Sequence, residues 1–588
     1  MESNRSAFVR ANLRIAALLL ASFVAAGAFA QLRPSQPEGY SGWTPKTLAT
    51  AKRYMVAAAN PLAVDAGVRM LERGGNAIDA MIATQLVLNL VEPTSSGIGG
   101  GAYLLYYDAK AKAIHAYDGR ETAPAGATAQ LFVGADGKPM SWPAARVGGR
   151  SVGTPGTPRL IELSHVRHGK LPWKTLFEPA IALAEKGFAV SPRLSHMLEE
   201  DLGLANEPVA RAYFFDSQGR PKAAGTTIRN PEFAATLRAL AEGGADAFYT
   251  GDIARDLVAA VNGHRNPGSL SLEDLAGYRV RETEAICGPY RKWKICGMPP
   301  SSSGGVAILQ ILGALSRFDM AAVRPNSADA VHRISEAERL AFADRRKYLG
   351  DDRFVDVPTK GLVDAAYIAS RSQLIRPERS MGIAKAGVPE GVKTPYGEDL
   401  VDEIPGTTQI SIVDAEGNAV SMTSTIEAYF GSHVMVRGFL LNNELTDFNF
   451  APVVNGELTA NAVAPGKRPR SSMAPTLVFD GKSGALEMTV GGPGGSLIIG
   501  FVAKVLVATL DWNMDIQSAI DLPNFDSRNG PTEIEKGSEL ERLEATLKTM
   551  GHEVRAIDMT SGLQGIRRTR EGWEGGADPR REGVARGR

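Results

Sequence analysis

Cysteine is almost missing from this chain: 588 residues carry two, Cys287 and Cys296. So few exclude a fold held by a disulfide framework and any four-thiolate metal centre. The eight histidines lack metal-ligand spacing, so no ligand cluster is expected. An excess of one charge is lacking too, since Lys plus Arg and Asp plus Glu both number 65. That balance removes the electrostatic case for nucleic acid or an anionic membrane as partner. No Pro- or Ser-rich linker divides the chain, although its length would allow roughly three or four domains. Past the N-terminus, Asp79, Asn89 and Lys504 interrupt the longest apolar runs, which therefore read as buried helices and not spans. Gly74-Gly75 lacks the Lys-Ser/Thr that would make it a nucleotide loop. Neither metal nor organic cofactor is implied.

What is present begins with a targeting segment over residues 1–30. Arg5, Arg10 and Arg14 lead an apolar run that ends Ala28-Phe29-Ala30, a small-x-small cleavage signal. The run is shorter than the about 20 residues a span needs, which predicts export to a periplasmic or extracellular space. In an oxidising compartment Cys287 and Cys296, at the mouth of an expected hairpin, are either a disulfide or two buried thiols. The residues leave both open.

The most informative stretch is residues 405–448. Pro405-Gly406-Thr407-Thr408 opens it, followed by alternation: Ile410 and Ile412 face one way, Gln409, Ser411 and Val413 the other. That pattern predicts a half-buried strand, a turn at 414–418, and a returning strand over 419–425. Thr407 therefore starts a strand directly after a flexible Pro-Gly pair. Were the Gly406–Thr407 bond cut, one residue would carry both a hydroxyl nucleophile and an α-amine, whose pKa near ~8 suits a base at neutral pH. An isolated Pro-Gly-Thr-Thr would be only a loop entering a strand.

Several other segments carry readable patterns. Ala63, Gly67 and Leu71 fall at helical spacing, Gly74-Gly75-Asn76 ends that helix, and 77–90 starts another. Arg120 ends a strand and, taken alone, reads as a solvated charge. Residues 332–350, HRISEAERLAFADRRKYLG, read as a charged helix with a solvated, salt-bridged face. Residues 382–403 read as a mobile tail, and 581–588 as a frayed end.

TTQISIVD, GNAVSMTSTIEAYFGS and LLNNELTDF resemble the start of the small subunit of γ-glutamyltransferases (γ-glutamyltranspeptidases, glutathione hydrolases), which are N-terminal nucleophile hydrolases. Ser95 to Gly101 with Gly119-Arg120-Glu121, Lys467 to Met473, and Gly491 to Gly495 extend the likeness, which runs from about Tyr54 to the chain end. The resemblance implies a four-layer αββα sandwich and cleavage of one precursor into a large subunit, 31–406, and a small one, 407–588, that stay together as a heterodimer. It implies Thr407 as nucleophile, helped by Thr425, with Gly494 and Gly495 as oxyanion hole; helix-start amides and glycines suit that task. Arg120, Ser471 and Ser472 would hold the α-carboxylate of a γ-glutamyl donor, the guanidinium fork being apt for it. Asp447 would hold the α-ammonium, Glu444 takes a position that relatives fill with Glu or Gln, and Glu427 and Glu444 are counted with the substrate-binding residues. Small γ-glutamyl donors such as glutathione, and water, amino acids or peptides as acceptors, follow as partners.

The sequence also departs from the family. Glu427 replaces an asparagine common in relatives, Gln409 replaces a histidine, and 449–466 is a shortened lid region without Tyr or Trp, predicting a more open pocket. The rival readings are a cephalosporin (glutaryl) acylase of the same superfamily, an inactive periplasmic binding protein, and an unprocessed structural protein.

Overall fold

A computed structural model describes residues 42–399, 401 and 406–588. The expected targeting segment and Pro405 lie outside the described residues. Two seven-stranded sheets form the centre. The first runs, in spatial order, Val584–Gly587, Met55–Ala58, Thr407–Val413, Ala419–Thr425, Gly101–Asp108, Ala113–Gly119 and Arg281–Thr283. The second runs Ala49–Ala51, Trp573–Ala577, Gln564–Arg568, Leu486–Gly491, Thr476–Asp480, Trp293–Gly297 and Ile286–Tyr290.

One face of the first sheet, through Val56, Leu104, Ile410, Ile412 and Met422, packs with the helices Pro61–Glu72 and Ala77–Val91. Its other face, through Met55, Tyr103, Leu105 and Val413, meets Leu477, Met488 and Ile566 of the second sheet. The helices Gly304–Leu315, Ala328–Tyr348 and Ile498–Leu510 cover the far side. This is the αββα sandwich that the resemblance implied. Asn76 ends the turn between the first two helices as expected, its side chain accepting from Ile78 and Asp79 amides while Asp79 accepts from the Asn76 amide. Among the described residues no helix is long and apolar enough to cross a membrane.

Four expectations are corrected. The strand Thr407–Val413 is buried on both faces, not half-buried. Its polar side faces the second sheet instead of water, and hydrogen bonds satisfy it: Ser411 Oγ donates to Gln564 O (3.0 Å), Ser421 Oγ to Val490 O (3.1 Å) and Thr489 Oγ1 to Val420 O (2.8 Å). The alternation was read correctly; what lies opposite was not.

The charged helix Ala328–Tyr348 is likewise buried over most of its length, including Glu336, Glu338, Asp344 and Arg345. Its charges are answered internally: Asp344 accepts from Gln310 (3.0 Å) and from Tyr367 (2.7 Å), and Glu336 pairs with Arg339 (3.0 Å). Nor are residues 382–399 free. Tyr396 and Asp399 are buried, and Asp399 pairs with Arg470 at 3.1 Å. At the chain end, Val584–Gly587 pairs antiparallel with Met55–Ala58 and forms the edge of the nucleophile's sheet.

Cys287 and Cys296 oppose each other across the hairpin Ile286–Tyr290/Trp293–Gly297 and form a disulfide. That settles the choice the sequence left open. Residues 449–466 fold into a short hairpin, Val453–Val454 with Glu457–Leu458, and Gly397 bridges to Thr459 beside it.

Candidate active site

Strand register builds the first half of the site. Thr407 pairs with Thr425, and every second residue along both strands shares the inter-sheet side. The two hydroxyls are thereby set opposite each other at the end of the strand pair. Thr407 Oγ1 donates to Thr425 Oγ1 (3.2 Å), which also accepts from the Glu427 amide (2.8 Å) and donates its own proton to Gly406 O (3.0 Å). One hydroxyl thus touches both the Thr407 hydroxyl and the carbonyl of the bond preceding it. All of these groups are buried. Glu427 holds its amide there from a left-handed backbone, φ 74°, unusual for a non-glycine residue and a sign of local constraint. Asn443 fixes that turn, donating to the Glu427 carboxylate and accepting from the Ala428 amide at 3.0 Å.

The second half is an ion cluster. Arg120, just past the strand Ala113–Gly119, is 1% exposed. Its guanidinium pairs with Glu444 and, at 2.5 Å, with Asp447, both on the short turn Glu444–Asp447. Its remaining donors reach Pro469 O (3.3 Å) and Arg470 O (3.1 Å), which brings the Ser471-Ser472 loop alongside. The solvated reading of Arg120 is therefore excluded. Burial opposes its charge, but Glu444 and Asp447 more than restore it, so the guanidinium stays protonated. Burial pushes Glu444 well above the usual carboxylate range despite Arg120.

Ser472 Oγ accepts from Arg345 (2.7 Å) and Ser471 Oγ accepts from the Met473 amide (3.1 Å). Gly494 and Gly495 both take positive φ, 145° and 56°, between the strand Leu486–Gly491 and the helix Ile498–Leu510. A side chain is disfavoured at either position. The corner is shared with the nucleophile. A Cβ at Gly491 would meet Gln409, two residues from Thr407, and one at Gly562 would meet both Pro493 and Arg581 at 2.6 Å.

Three contributors escaped sequence reading. Arg581, assigned to a frayed end, is buried and donates to Thr407 O at 3.1 Å. Arg345, assigned to a solvated face, donates to Ser472 and, at 2.9 Å, to Ser303. Glu92 accepts from Thr408 Oγ1 at 2.7 Å and pairs with Arg581 at 3.3 Å. The only available signals were charges inside otherwise buried patterns.

Glu121 lies fully buried against Glu444, and no nitrogen or hydroxyl side chain among the described residues donates to it. Burial raises its pKa to about 7, against the pull of Arg120. A carboxyl whose folded pKa is raised stabilises the fold below its unfolded value and loses that contribution as pH rises through the folded value. The thermal midpoint should therefore fall between about pH 5 and pH 7.5. Glu121→Gln should remove part of that fall, the remainder belonging to Glu444. Identical slopes for the two proteins, measured calorimetrically, would refute this.

The chain is similar to known proteins in sequence and in fold. A family model described as Gamma-glutamyltranspeptidase matches residues 63–587. The glutathione hydrolase proenzyme of Bacillus subtilis (strain 168) is 36% identical over 585 residues, 97% of this chain and 97% of that protein. The crystal structure of a cephalosporin acylase from Bacillus halodurans is similar with a TM-score of 0.81 at 27% identity, over 95% of this chain and 99% of that one. The crystal structure of Helicobacter pylori gamma-glutamyltranspeptidase is similar with a TM-score of 0.53 at 32% identity, over 59% of this chain and 95% of that one.

Proposed function

The chain belongs to the gamma-glutamyltranspeptidase family, and from that premise we propose how its own residues release and use Thr407. The protein is a γ-glutamyltransferase and glutathione hydrolase that acts on γ-glutamyl compounds. It is made as one precursor. The Thr407 hydroxyl attacks the Gly406 carbonyl carbon, passing its proton toward the departing Thr407 nitrogen, and forms an ester to Gly406. Water then hydrolyses that ester, leaving residues 31–406 and 407–588 as large and small subunits of a heterodimer. The single observation that carries this is the Thr425 hydroxyl, bonded at once to the attacking oxygen and to the carbonyl oxygen that must accept charge.

Once cut, Thr407 brings its own base. Its α-amine takes the hydroxyl proton as Oγ1 attacks the γ-carbonyl of the donor, and the Gly494 and Gly495 amides hold the resulting oxyanion. Collapse expels the amine leaving group, which recovers the proton, and leaves a γ-glutamyl ester on Thr407. Water completes hydrolysis; the amine of an amino acid or peptide completes transfer. The donor's α-carboxylate goes to Arg120 with Ser471 and Ser472, and its α-ammonium to Asp447 and Glu444. A zwitterion is suited to this pocket because it divides an ion pair that already exists: each substrate charge replaces the partner that the other draws away. The N-terminal segment supports export, with residues 1–30 removed.

Edman sequencing of the purified protein tests the scheme. A fragment beginning Thr-Thr-Gln-Ile is expected, together with γ-glutamyl anilide release; a single uncut chain would overturn it.

The cephalosporin acylase likeness covers 95% of the chain and keeps a second reading in play. An acylase of glutaryl groups needs no partner for an α-ammonium, whereas Asp447 and Glu444 crowd a single buried Arg120. Faster release from a glutaryl than from a γ-glutamyl anilide would favour the acylase.

A further inference from the structure

Fold geometry overturns the expectation that the histidines form no ligand cluster. His332 and Glu336 stand one helical turn apart on Ala328–Tyr348, and His552 arrives from the other end of the chain. One ligand atom from each lies within 4.8 Å of the others, and all three residues are buried. We propose that His332, Glu336 and His552 form a site for a zinc-class divalent cation that joins the two halves of the protein.

The arrangement around the three side chains resembles the support that metal ligands receive. His332 Nε2 lies 2.7 Å from Arg376 O and donates to it, which leaves Nδ1 with a lone pair aimed at His552 Nε2, 2.7 Å away. His552 Nδ1 lies 2.7 Å from Thr532 Oγ1, a group able to donate or accept. With the proton on His552 Nε2, the imidazoles share a hydrogen bond. With it on Nδ1, donated to Thr532, two lone pairs face one another and call for a cation between them. Tetrahedral zinc holds nitrogens at about 2.0–2.1 Å from the ion and so about 3.3–3.4 Å from each other, which requires the two to separate by roughly 0.6 Å.

Glu336 is already oriented. Oε1 accepts from Ser380 Oγ (2.7 Å) and pairs with Arg339 Nε (3.0 Å), while Oε2 accepts from the Met381 amide (2.7 Å) and retains a second lone pair. Arg339, which also donates to Thr532 Oγ1 (2.9 Å), is the opposing charge a cation must tolerate. Two imidazoles and one carboxylate favour a borderline ion over calcium or magnesium and leave a fourth position for water. Glu336 and His332 precede Thr407 and His552 follows it, so the ion would tie large to small subunit. That bridging role rests on the cut proposed above; binding does not, and uncut Thr407→Ala protein should bind equally.

The test strips the processed full-length protein with a chelator and titrates Zn²⁺ alone in competition with a chromogenic zinc indicator. One ion per heterodimer is expected, with a raised thermal midpoint. His552→Gln and Glu336→Gln should each weaken binding by at least about 100-fold, leaving zinc-free anilide release within about two-fold. If either variant fails to fold, Co²⁺ added to the wild type supplies the readout, as tetrahedral absorption bands that excess Zn²⁺ abolishes. No uptake by the wild type, uptake unchanged in a folded variant, or octahedral cobalt bands would overturn the proposal.

Discussion

Replacing Thr407 by alanine should leave one uncut polypeptide and lower γ-glutamyl anilide release by at least about 10⁴-fold, the scale on which covalent nucleophiles are missed. Both losses come from one oxygen. Without Oγ1 nothing attacks the Gly406 carbonyl, and even a chain cut by other means would have no hydroxyl to acylate. The fold should survive. Alanine keeps the strand pairing of position 407 with Thr425, and the deleted hydroxyl removes one donor from an oxygen that retains the Glu427 amide and the Gly406 carbonyl. Such a loss costs about 1 kcal/mol. Thr407→Ser provides the control: it retains the hydroxyl and should mature, more slowly, to an active heterodimer. A denaturing gel and an anilide assay read both outcomes. Finding Thr407→Ala cut and active would place the chemistry on another residue.

Much of this site was legible because it is written in local sequence. Thr407 at the start of a strand, the period-two strands on both sides of 414–418, and the glycines at 494 and 495 are short-range features, and the structure shows those strands at their expected bounds and both glycines at positive φ. Burial was not local. Ser411 and Gln409 carry the pattern of a solvent face, and only the second sheet, contributed by segments far along the chain, makes that face interior. The helix Ala328–Tyr348 misled for the same reason. Charges at Glu336, Glu338, Asp344 and Arg345 normally mean water, yet here partners from distant segments answer them. Arg581 was lost because it sits in the bend before a four-residue strand, Val584–Gly587, that is too short to announce itself in sequence. Segment type could be read alone; what each segment faces required the assembled sandwich.

Substrate discrimination carries the second large expectation. Asp447→Ala should mature normally, because the Thr407–Thr425–Gly406 contacts do not involve it. Arg120 would still contact Glu444, and loss of the neighbouring Asp447 charge removes one of the groups that raise the Glu444 pKa, so Glu444 ionises more readily and the buried cation keeps a carboxylate partner. What disappears is the buried carboxylate proposed above to hold the donor's α-ammonium. Losing one partner of a desolvated charge pair costs about 2–5 kcal/mol, or roughly 30- to 4,000-fold in kcat/KM. The loss should appear mainly as a raised KM for γ-glutamyl anilide. A glutaryl anilide, which has no α-ammonium, should react nearly as before, so the preference for γ-glutamyl over glutaryl donors collapses in the variant. The pair of substrates separates recognition from damage: a misfolded or poorly matured protein would lose both activities together, and an unchanged KM for the γ-glutamyl donor would remove Asp447 from substrate binding.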